Sequence, residues 1–202
     1  MKIDDEHMYH GAALTQIAKD PRFSGIGPFQ HESSASKRSF IINGAVGVYL
    51  QYSKRPVSAF NEYHFSFGDG ELTELGSLRA KTESVALALV CVQDGEICAV
   101  PYEELLRLID LRRTAYGRDE EMYVIAVKVL KGRMFRVYVS APGKDGRMLD
   151  DAVKVARSKF PARLFDDDGA GDDEDETEDE PTAPTSGATR RKPRNQRPSA
   201  AT

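Results

Sequence analysis

The sequence predicts a domain that mixes α-helices with β-strands, and two observations indicate this class. Residues 84–92 contain the longest apolar run of the chain. That run is too short to cross a membrane and has the length of one strand, and a strand that is apolar on both faces is covered on both faces. Segments with helical and strand periodicity also alternate along the chain. We therefore expect three helices and one mixed sheet of about six to eight strands, in the order αβββαββαββ.

The first element is predicted to be a helix. Asp4 or Asp5 can cap its amino terminus, and Pro21 ends the helix by Asp20. The apolar residues expected to face the core are Met8, Ala12, Leu14, Ile17 and Ala18. Residues 22–38 contain glycines, serines and a proline without a steady period, so we expect a loop there.

Three strands and a helix are predicted next. The apolar runs 39–42 and 45–52 are joined by Asn43-Gly44, which favours a type I′ hairpin because both turn residues need a positive φ. Aromatic residues then alternate with polar ones over residues 63–67, a pattern typical of a strand. A helix capped by Asp69 follows, and its leucines are expected to face inward: Leu72, Leu75 and Leu78.

The second half of the folded part begins with the strand 84–92 and a partner at 97–100. Pro101 suits the first turn of the third helix. The apolar residues expected to form the buried stripe of this helix are Leu105, Leu106, Leu108, Ile109 and Leu111. A hairpin of residues 122–130 and 134–140 is expected after it, and residues 153–165 are expected to add an edge strand because Pro161 does not suit a central one.

The two cysteines, Cys91 and Cys98, flank Asp94-Gly95. If these two residues form the hairpin loop, the cysteines lie opposite each other within the distance of a disulfide. The amino terminus is charged and lacks the apolar region of a secretion signal, so reduced and buried thiols are favoured. The same feature predicts a cytoplasmic protein without a membrane partner.

Charge is distributed unevenly along the 202 residues. Residues 1–164 carry 23 Lys and Arg against 21 Asp and Glu, whereas the rest of the chain carries 5 against 11. We expect residues 1–165 to form one domain and residues 166–202 to form a disordered tail, because a stretch with so few apolar residues cannot offset the entropy of ordering it. The tail has an acidic part at 166–180 and a basic part at 190–197.

In order, residues 4–92 are expected to form a helix, three strands, a helix and a strand. This order resembles the core of the restriction-endonuclease-like superfamily, the PD-(D/E)XK nucleases. In that family a carboxylate on the second strand and a Glu/Asp-x-Lys on the third hold a divalent cation and orient the attacking water.

The resemblance implies a degenerate catalytic site. Glu62 and His64 match the third-strand motif, with His where the family has Lys, and Glu6 on the first helix corresponds to an extra ligand. Asn43, the nearest counterpart of the second-strand Asp, carries no charge and is already explained as a turn residue. Glu62 and His64 also have structural explanations, Glu62 as a solvated carboxylate at a strand end and His64 as an exposed strand residue. No cofactor is expected, since Mg²⁺ would be needed only if this site were active.

Two functions remain open from the sequence. The first is a nuclease-like domain without metal-dependent cleavage that associates with nucleic acid, and the alternative is a non-enzymatic protein-interaction module with a charged tail. Both favour a non-catalytic role. Contacts to nucleic acid or to another acidic surface are expected from the basic part of the tail, through counterion release. Its cations are Arg190, Arg191, Lys192, Arg194 and Arg197.

Overall fold

The structure is a computed structural model that describes residues 2–31, 34–57, 59–157 and 160–166. Within these residues the helices are α1 (Asp5–Ile17), α2 (Asp69–Arg79) and α3 (Tyr102–Tyr116). The strands are β1 (Ile26–His31), β2 (Ser34–Ile42), β3 (Val46–Ser53), β4 (Glu62–Gly68), β5 (Ser84–Cys91), β6 (Glu96–Pro101), β7 (Met122–Lys128), β8 (Phe135–Ala141), β9 (Lys144–Met148) and β10 (Val153–Val155). None of the helices in this part of the chain is long and apolar enough to cross a bilayer. The predicted tail beyond Asp166, with its acidic and basic parts, lies outside the described residues.

The mixed α and β class and the three helices are confirmed, but the described residues form ten strands in two sheets instead of six to eight strands in one. Sheet A has the order β1-β2-β3-β5-β6, in which β3 and β5 are parallel and the other pairs antiparallel. Sheet B has the antiparallel order β10-β8-β7-β4, and β9 pairs with the end of β8. The sheets are separate because β4 follows β3 along the chain but pairs with the distant β7. An alternating pattern shows which face of a strand is apolar, not which strand lies beside it.

Residues 22–38 are not the loop that the sequence predicts, since β1 and the first part of β2 lie there. Pro28 is located in β1, an edge strand, and the pairing with β2 shifts between Pro28 and Gln30. Edge strands and bulges tolerate proline because no inward N–H is needed there. Phe29, beside this irregularity, is buried. The proline and the shifted register hide the strand period from the sequence.

The apolar run of β5 is an interior strand that is covered on both faces, as predicted. Val85, Leu87 and Leu89 face the main core, to which sheet A, sheet B, α2 and α3 all contribute. Ala88 and Val90 face a second core that α1 covers. This double burial explains why the run contains no polar residue after Ser84.

Helix α1 begins where the sequence predicts, because Asp4 accepts a hydrogen bond from the backbone N–H of His7 over 3.0 Å. Its buried residues are His10, Ala13 and Ile17. The prediction that Met8 faces the core is wrong, since Met8 is 51% exposed. Several faces of this helix carry apolar residues, so the sequence did not determine which face packs against sheet A.

The hairpin of β5 and β6 has a longer loop than the two residues predicted. A one-turn 3₁₀ helix, Val92–Asp94, and the left-handed Gly95 connect the strands. Cys91 therefore lies opposite Glu96, and Cys98 lies opposite Leu89. Both thiols are free and buried, and burial is the main cause that raises the pKa of each. The expected cross-strand position of the two cysteines is wrong.

Candidate nucleic-acid interface

The candidate site lies on the face of sheet B that points away from the core. In β4, the aromatic side chains of Tyr63, Phe65 and Phe67 point into the main core. Because side chains alternate along a strand, Glu62 and His64 point to the opposite, outer face. The same alternation in the paired strands β7, β8 and β10 decides which other side chains share that face.

Glu62 is fully buried, although the sequence predicted a solvated carboxylate at a strand end. Its Oε1 lies 2.9 Å from Nε2 of His64, and its Oε2 accepts a hydrogen bond from the hydroxyl of Tyr138. A buried carboxylate must be hydrogen-bonded to remain in the folded state without a large penalty. His64 and Tyr138 supply those contacts, so the prediction of a solvated Glu62 is wrong.

A small residue allows the side chains of β4 and β8 to meet across the strand between them. Ala126 of β7 lies directly opposite His64 on one side and Tyr138 on the other. Neighbouring strands are about 4.8 Å apart, so β4 and β8 are separated by about twice that distance. Ala126 is 1% exposed and has no side chain beyond Cβ, which leaves room above it for Glu62 and Tyr138.

The end of the β8–β9 hairpin contacts the turn that precedes β4. In β9 the pairing with β8 jumps from Lys144, opposite Ala141, to Met148, opposite Ser140, so the intervening residues bulge out of the sheet. Gly146, within that bulge, packs directly against the ring of Phe60, in the turn before β4. This contact joins the β8–β9 hairpin to the turn before β4, on the strand that carries Glu62.

Hydrogen bonding fixes the orientation of the His64 imidazole. A carboxylate accepts hydrogen bonds, so Glu62 receives the Nε2–H of His64, and in the neutral imidazole the lone pair is then on Nδ1. Nδ1 has no hydrogen-bond partner among the residues that the structure describes. The side chain of His64 keeps 34% of its surface exposed. His64 therefore presents Nδ1 on an imidazole ring that the buried Glu62 holds in place.

Tyr138 acts as a donor to Glu62. Burial, and then the hydrogen bond to the Glu62 carboxylate, raise the pKa of Tyr138 well above its ordinary value. The phenol accordingly keeps its proton at any physiological pH and continues to donate it. Tyr138, Glu62 and His64 thus form a hydrogen-bonded chain from the interior of the sheet toward solvent.

A row of cations runs across the same face beside this chain, and we call it the basic row. Lys128 of β7 lies directly opposite Glu62 on one side and Arg136 of β8 on the other. Arg136 in turn lies directly opposite Lys154 of β10. Lys128 and Arg136 are half-buried and Lys154 is exposed.

The basic row is not neutralised by the part of the chain that the structure describes. None of its three side chains has a hydrogen bond or ion pair with any residue that the structure describes. Glu62 is the acidic residue in register with them, and its carboxylate is occupied by His64 and Tyr138. Like charges placed directly opposite each other on neighbouring strands are destabilising. A face on which unpaired cations lie this close together is suited to bind an anionic ligand, which would relieve their repulsion.

The turn between β7 and β8 adds to this charge. Lys131 and Arg133 lie in it and are both exposed. From residue 122 to residue 141 the chain carries four cations and no Asp or Glu. This local excess was the signal in the sequence for the basic face, although only the strand register shows that Lys128, Arg136 and Lys154 align.

The structure does not bring Glu6 into contact with Glu62 or His64. Oε1 of Glu6 lies 3.6 Å from Nε of Arg38, and Arg38 also lies 3.5 Å from Oε1 of Glu71. Glu6 thus belongs to an ion cluster that links α1, β2 and α2. The catalytic role that the resemblance implies for Glu6, Glu62 and His64 stays a prediction.

Asn43 is a turn residue, as predicted, with φ of 54°. Its Oδ1 accepts hydrogen bonds from the N–H and the hydroxyl of Ser24 and from the N–H of Gly25. Its Nδ2 donates to the carbonyl of Arg22 over 2.8 Å. These contacts tie the start of β1 to the β2–β3 turn and leave the amide no free oxygen for a metal.

These donors do not fit the divalent-cation site that the resemblance implies. Both oxygens of Glu62 and the amide oxygen of Asn43 are hydrogen-bonded, and Glu6 faces Arg38. Across the described residues, no three His, Cys, Asp or Glu side chains are grouped so as to hold a metal ion. Hard cations need several oxygen ligands that are free to coordinate.

Several cations elsewhere in the fold are ion-paired. Lys54 contacts the carboxylate of Asp5, and Arg113 contacts Asp110 and Asp119. Arg112 forms a two-pronged ion pair with Glu120. In contrast to the basic row, these cations have carboxylate partners within the fold.

A groove of about 860 Å³ lies along the exposed side of α3. Leu106, Leu111 and Leu149 contribute to its apolar lining, and Leu106 is 38% exposed. Two acidic residues at the groove are paired within the fold, Glu103 with Arg79 and Asp110 with Arg113. The sequence predicted Leu106 to be part of the buried stripe of α3, and this prediction is wrong.

Comparison with known proteins identifies no relative of this chain. No family model matches the chain, and no curated protein or solved structure shows significant similarity to it.

Proposed function

We propose that this chain binds nucleic acid through the outer face of sheet B and does not cleave it with a metal ion. The observation that carries the proposal is the basic row: Lys128, Arg136 and Lys154 lie side by side without a carboxylate partner among the described residues. A nucleic-acid backbone is a regular line of negative charge, and Lys and Arg bind it by releasing condensed counterions. A nuclease-like origin, as implied by the order of elements, belongs to the same proposal.

The shape of the face supports a linear polyanion as the ligand. The three cations come from successive strands about 4.8 Å apart, so the row spans about 10 Å. Lys131 and Arg133 extend the charge beyond the sheet at the β7–β8 turn. A single small anion would occupy only part of this length, whereas a backbone of repeated phosphates can contact all of it.

The basic part of the tail is a second candidate for these contacts. Its cations, Arg190, Arg191, Lys192, Arg194 and Arg197, lie outside the described residues, and their role is proposed from sequence alone. A cytoplasmic location and the absence of a required cofactor are further parts of the proposal.

Binding of a fluorescently labelled single-stranded RNA and a labelled DNA duplex to the full chain, at low salt, tests this function. The first variant replaces Lys128, Arg136 and Lys154 with Gln. Its matched control replaces three exposed cations, Lys2, Lys19 and Arg55, with Gln, which changes the net charge equally. A third variant replaces the five tail cations with Gln.

The proposal predicts that the row variant weakens binding at least tenfold and the matched control less than threefold. Equal weakening by both variants would mean that net charge, not this face, governs binding. If only the tail variant lost binding, the contacts would lie in the tail and the proposed face would be wrong. If the intact chain bound neither probe, the protein-interaction module would be favoured instead.

A further inference from the structure

We propose that His64 is a general base for metal-independent cleavage of RNA on this face, with Glu62 and Tyr138 as positioning residues. The inference rests on the proposed function, because it needs the RNA backbone to lie along the basic row. It adds a chemical step to the binding of RNA. It also gives a role to the hydrogen-bonded residues Tyr138, Glu62 and His64, which binding of the RNA backbone alone does not explain.

The imidazole ring of His64 is held in a defined orientation. Glu62 is fully buried and accepts a hydrogen bond from Nε2 of His64 over 2.9 Å, so that in the neutral imidazole the lone pair is on Nδ1. The hydroxyl of Tyr138 holds the other carboxylate oxygen. A histidine oriented by a buried carboxylate is the general-base unit of many hydrolytic sites. Nδ1, without a described partner, is the atom that can take a proton.

The surroundings of His64 indicate where the nucleophile comes from. His64 has one hydrogen-bond partner among the described residues, Glu62, so these residues place no Ser, Thr or Cys hydroxyl or thiol for it to activate. The nucleophile is then water or a group of the substrate, and a hydroxyl already held next to the phosphorus reacts far faster than free water. RNA carries a 2′-hydroxyl next to each phosphate, and DNA does not, so this arrangement is suited to RNA.

Lys128 lies near His64, on the neighbouring strand β7. It lies directly opposite Glu62, which makes it the diagonal neighbour of His64, and such neighbours have Cα atoms about 7–8 Å apart, within reach of long side chains. A phosphate bound by Lys128 and Arg136 would therefore lie next to the imidazole. These cations are placed to stabilise the extra negative charge that develops on the phosphate oxygens.

The step balances without a metal or a redox partner. Nδ1 of His64 takes the proton of the 2′-hydroxyl, and the 2′-oxygen forms a bond to the adjacent phosphorus. The bond from phosphorus to the 5′-oxygen breaks, and that oxygen takes a proton from the Lys128 ammonium group. The products are a 2′,3′-cyclic phosphate and a free 5′-hydroxyl. Proton exchange with water then returns His64 and Lys128 to their starting states.

The test incubates the full chain with single-stranded RNA in the presence of EDTA and analyses the ends of the products. We expect fragments with 2′,3′-cyclic phosphate and 5′-hydroxyl ends. The same sequence as DNA, or as RNA with 2′-O-methyl groups, should bind to the chain but stay intact because it lacks the nucleophile. Binding of RNA without any cleavage in EDTA would overturn the inference and leave the proposed function standing.

Substitution of His64 separates chemistry from binding. His64→Ala and His64→Gln should each lower the cleavage rate at least a hundredfold, in the range for loss of a general base, while RNA affinity changes less than threefold. Added imidazole should restore part of the rate to His64→Ala, which a merely structural role would not allow. His31→Ala, a half-buried histidine in sheet A, is the matched control and should cleave as the intact chain does.

The remaining outcomes are also decisive. Unchanged cleavage by both His64 variants, purified in parallel, would assign the activity elsewhere and overturn the inference. Lys128→Gln should weaken binding and cleavage together, whereas Tyr138→Phe should lower cleavage with little effect on binding. A chain that does not bind RNA at all would overturn the proposed function, and this inference with it.

Discussion

Tyr138 on β8 donates its hydroxyl hydrogen to the buried carboxylate of Glu62 on β4, across the intervening strand β7. The two residues are far apart in sequence and come from strands that do not pair with each other. Because Ala126 between them is small, they meet over it. The contact fixes Glu62, and through Glu62 it fixes His64.

The first prediction concerns this contact. Tyr138→Phe leaves one oxygen of a buried carboxylate without its donor, so we expect the free energy of unfolding to fall by about 1.5–3 kcal/mol. Denaturant unfolding monitored by circular dichroism measures this change. Tyr116→Phe is the control, because Tyr116 is 38% exposed and its hydroxyl contacts Arg118 at the surface, so its loss should cost less than about 0.5 kcal/mol. Equal effects of the two substitutions would show that Glu62 does not depend on Tyr138.

The second prediction concerns the contact of the β9 bulge with Phe60. Gly146 and Gly143 both have a positive φ, 73° and 66°, so alanine strains the backbone at either position. A Cβ at Gly146 would also collide with the Phe60 ring, whereas one at Gly143 would meet open space. We expect Gly146→Ala to lower the free energy of unfolding by about 1–3 kcal/mol more than Gly143→Ala does, as measured by thermal unfolding. In a Phe60→Ala background this excess should disappear, and its persistence would contradict the contact.

The third prediction concerns the packing of α2 on β3. A Cβ added to Gly47 would lie 2.8 Å from Cγ of Leu78 and 2.9 Å from Cγ2 of Val85, both in the interior. We expect Gly47→Ala to destabilise the fold by about 1–3 kcal/mol, the usual cost of overpacking a core. Gly27→Ala in β1 is the matched control, since a Cβ there meets no atom within 4 Å. A neutral or stabilising Gly47→Ala would mean that α2 lies farther from β3.

The fourth prediction concerns pH and His10, which is 4% exposed on the inner face of α1. Burial is the main cause that lowers the pKa of His10, and the nearby Glu6 opposes it only partly. Nε2 of His10 is buried without a hydrogen-bond partner among the described residues. The unfolded chain, in which the histidine pKa is about 6.5, therefore binds a proton before the folded chain does.

It follows that His10 lowers stability as the pH falls below about 6.5, and that this loss ends once the pH is below the pKa of the folded state. Unfolding free energies of the intact chain and of His10→Gln, compared from about pH 7.5 to about pH 5.5, isolate the effect from that of the carboxylates. The intact chain should lose more stability over this interval than His10→Gln. Parallel curves for the two proteins would show that His10 is not held neutral by burial.

Local signals in the sequence predicted the elements that depend on neighbouring residues. Asn43-Gly44 indicates its turn because few other pairs adopt two positive φ angles, and the run 84–92 indicates a strand that is buried on both faces. The helix that starts after Asp4 and the alternating aromatic residues of β4 are equally local. Each of these is decided within a few residues, so a single sequence is sufficient.

The candidate site could not be predicted in the same way, because it depends on which strands pair. From the sequence alone, Glu62 is indistinguishable from a solvated residue at a strand end. Its burial becomes evident only from the pairing of β4, β7 and β8, which brings Ala126 and Tyr138 beside it. Lys128, Arg136 and Lys154 are spread along the chain and align only through the register of sheet B. The position of Cys91 depended likewise on the length of one loop. Pairing and register are set by the whole core, not by a local pattern.

The central claim is that the basic row binds the nucleic-acid backbone, and the salt dependence of binding tests it most directly. The measurement plots the logarithm of the binding constant for a short single-stranded RNA against the logarithm of the salt concentration. It compares the intact chain with the variant in which Lys128, Arg136 and Lys154 are Gln. Each phosphate contact contributes about −0.7 to the slope for a single strand, so the loss of three contacts should make the slope shallower by about 2. Identical slopes for the two proteins would show that these residues do not contact phosphates, and would contradict the account.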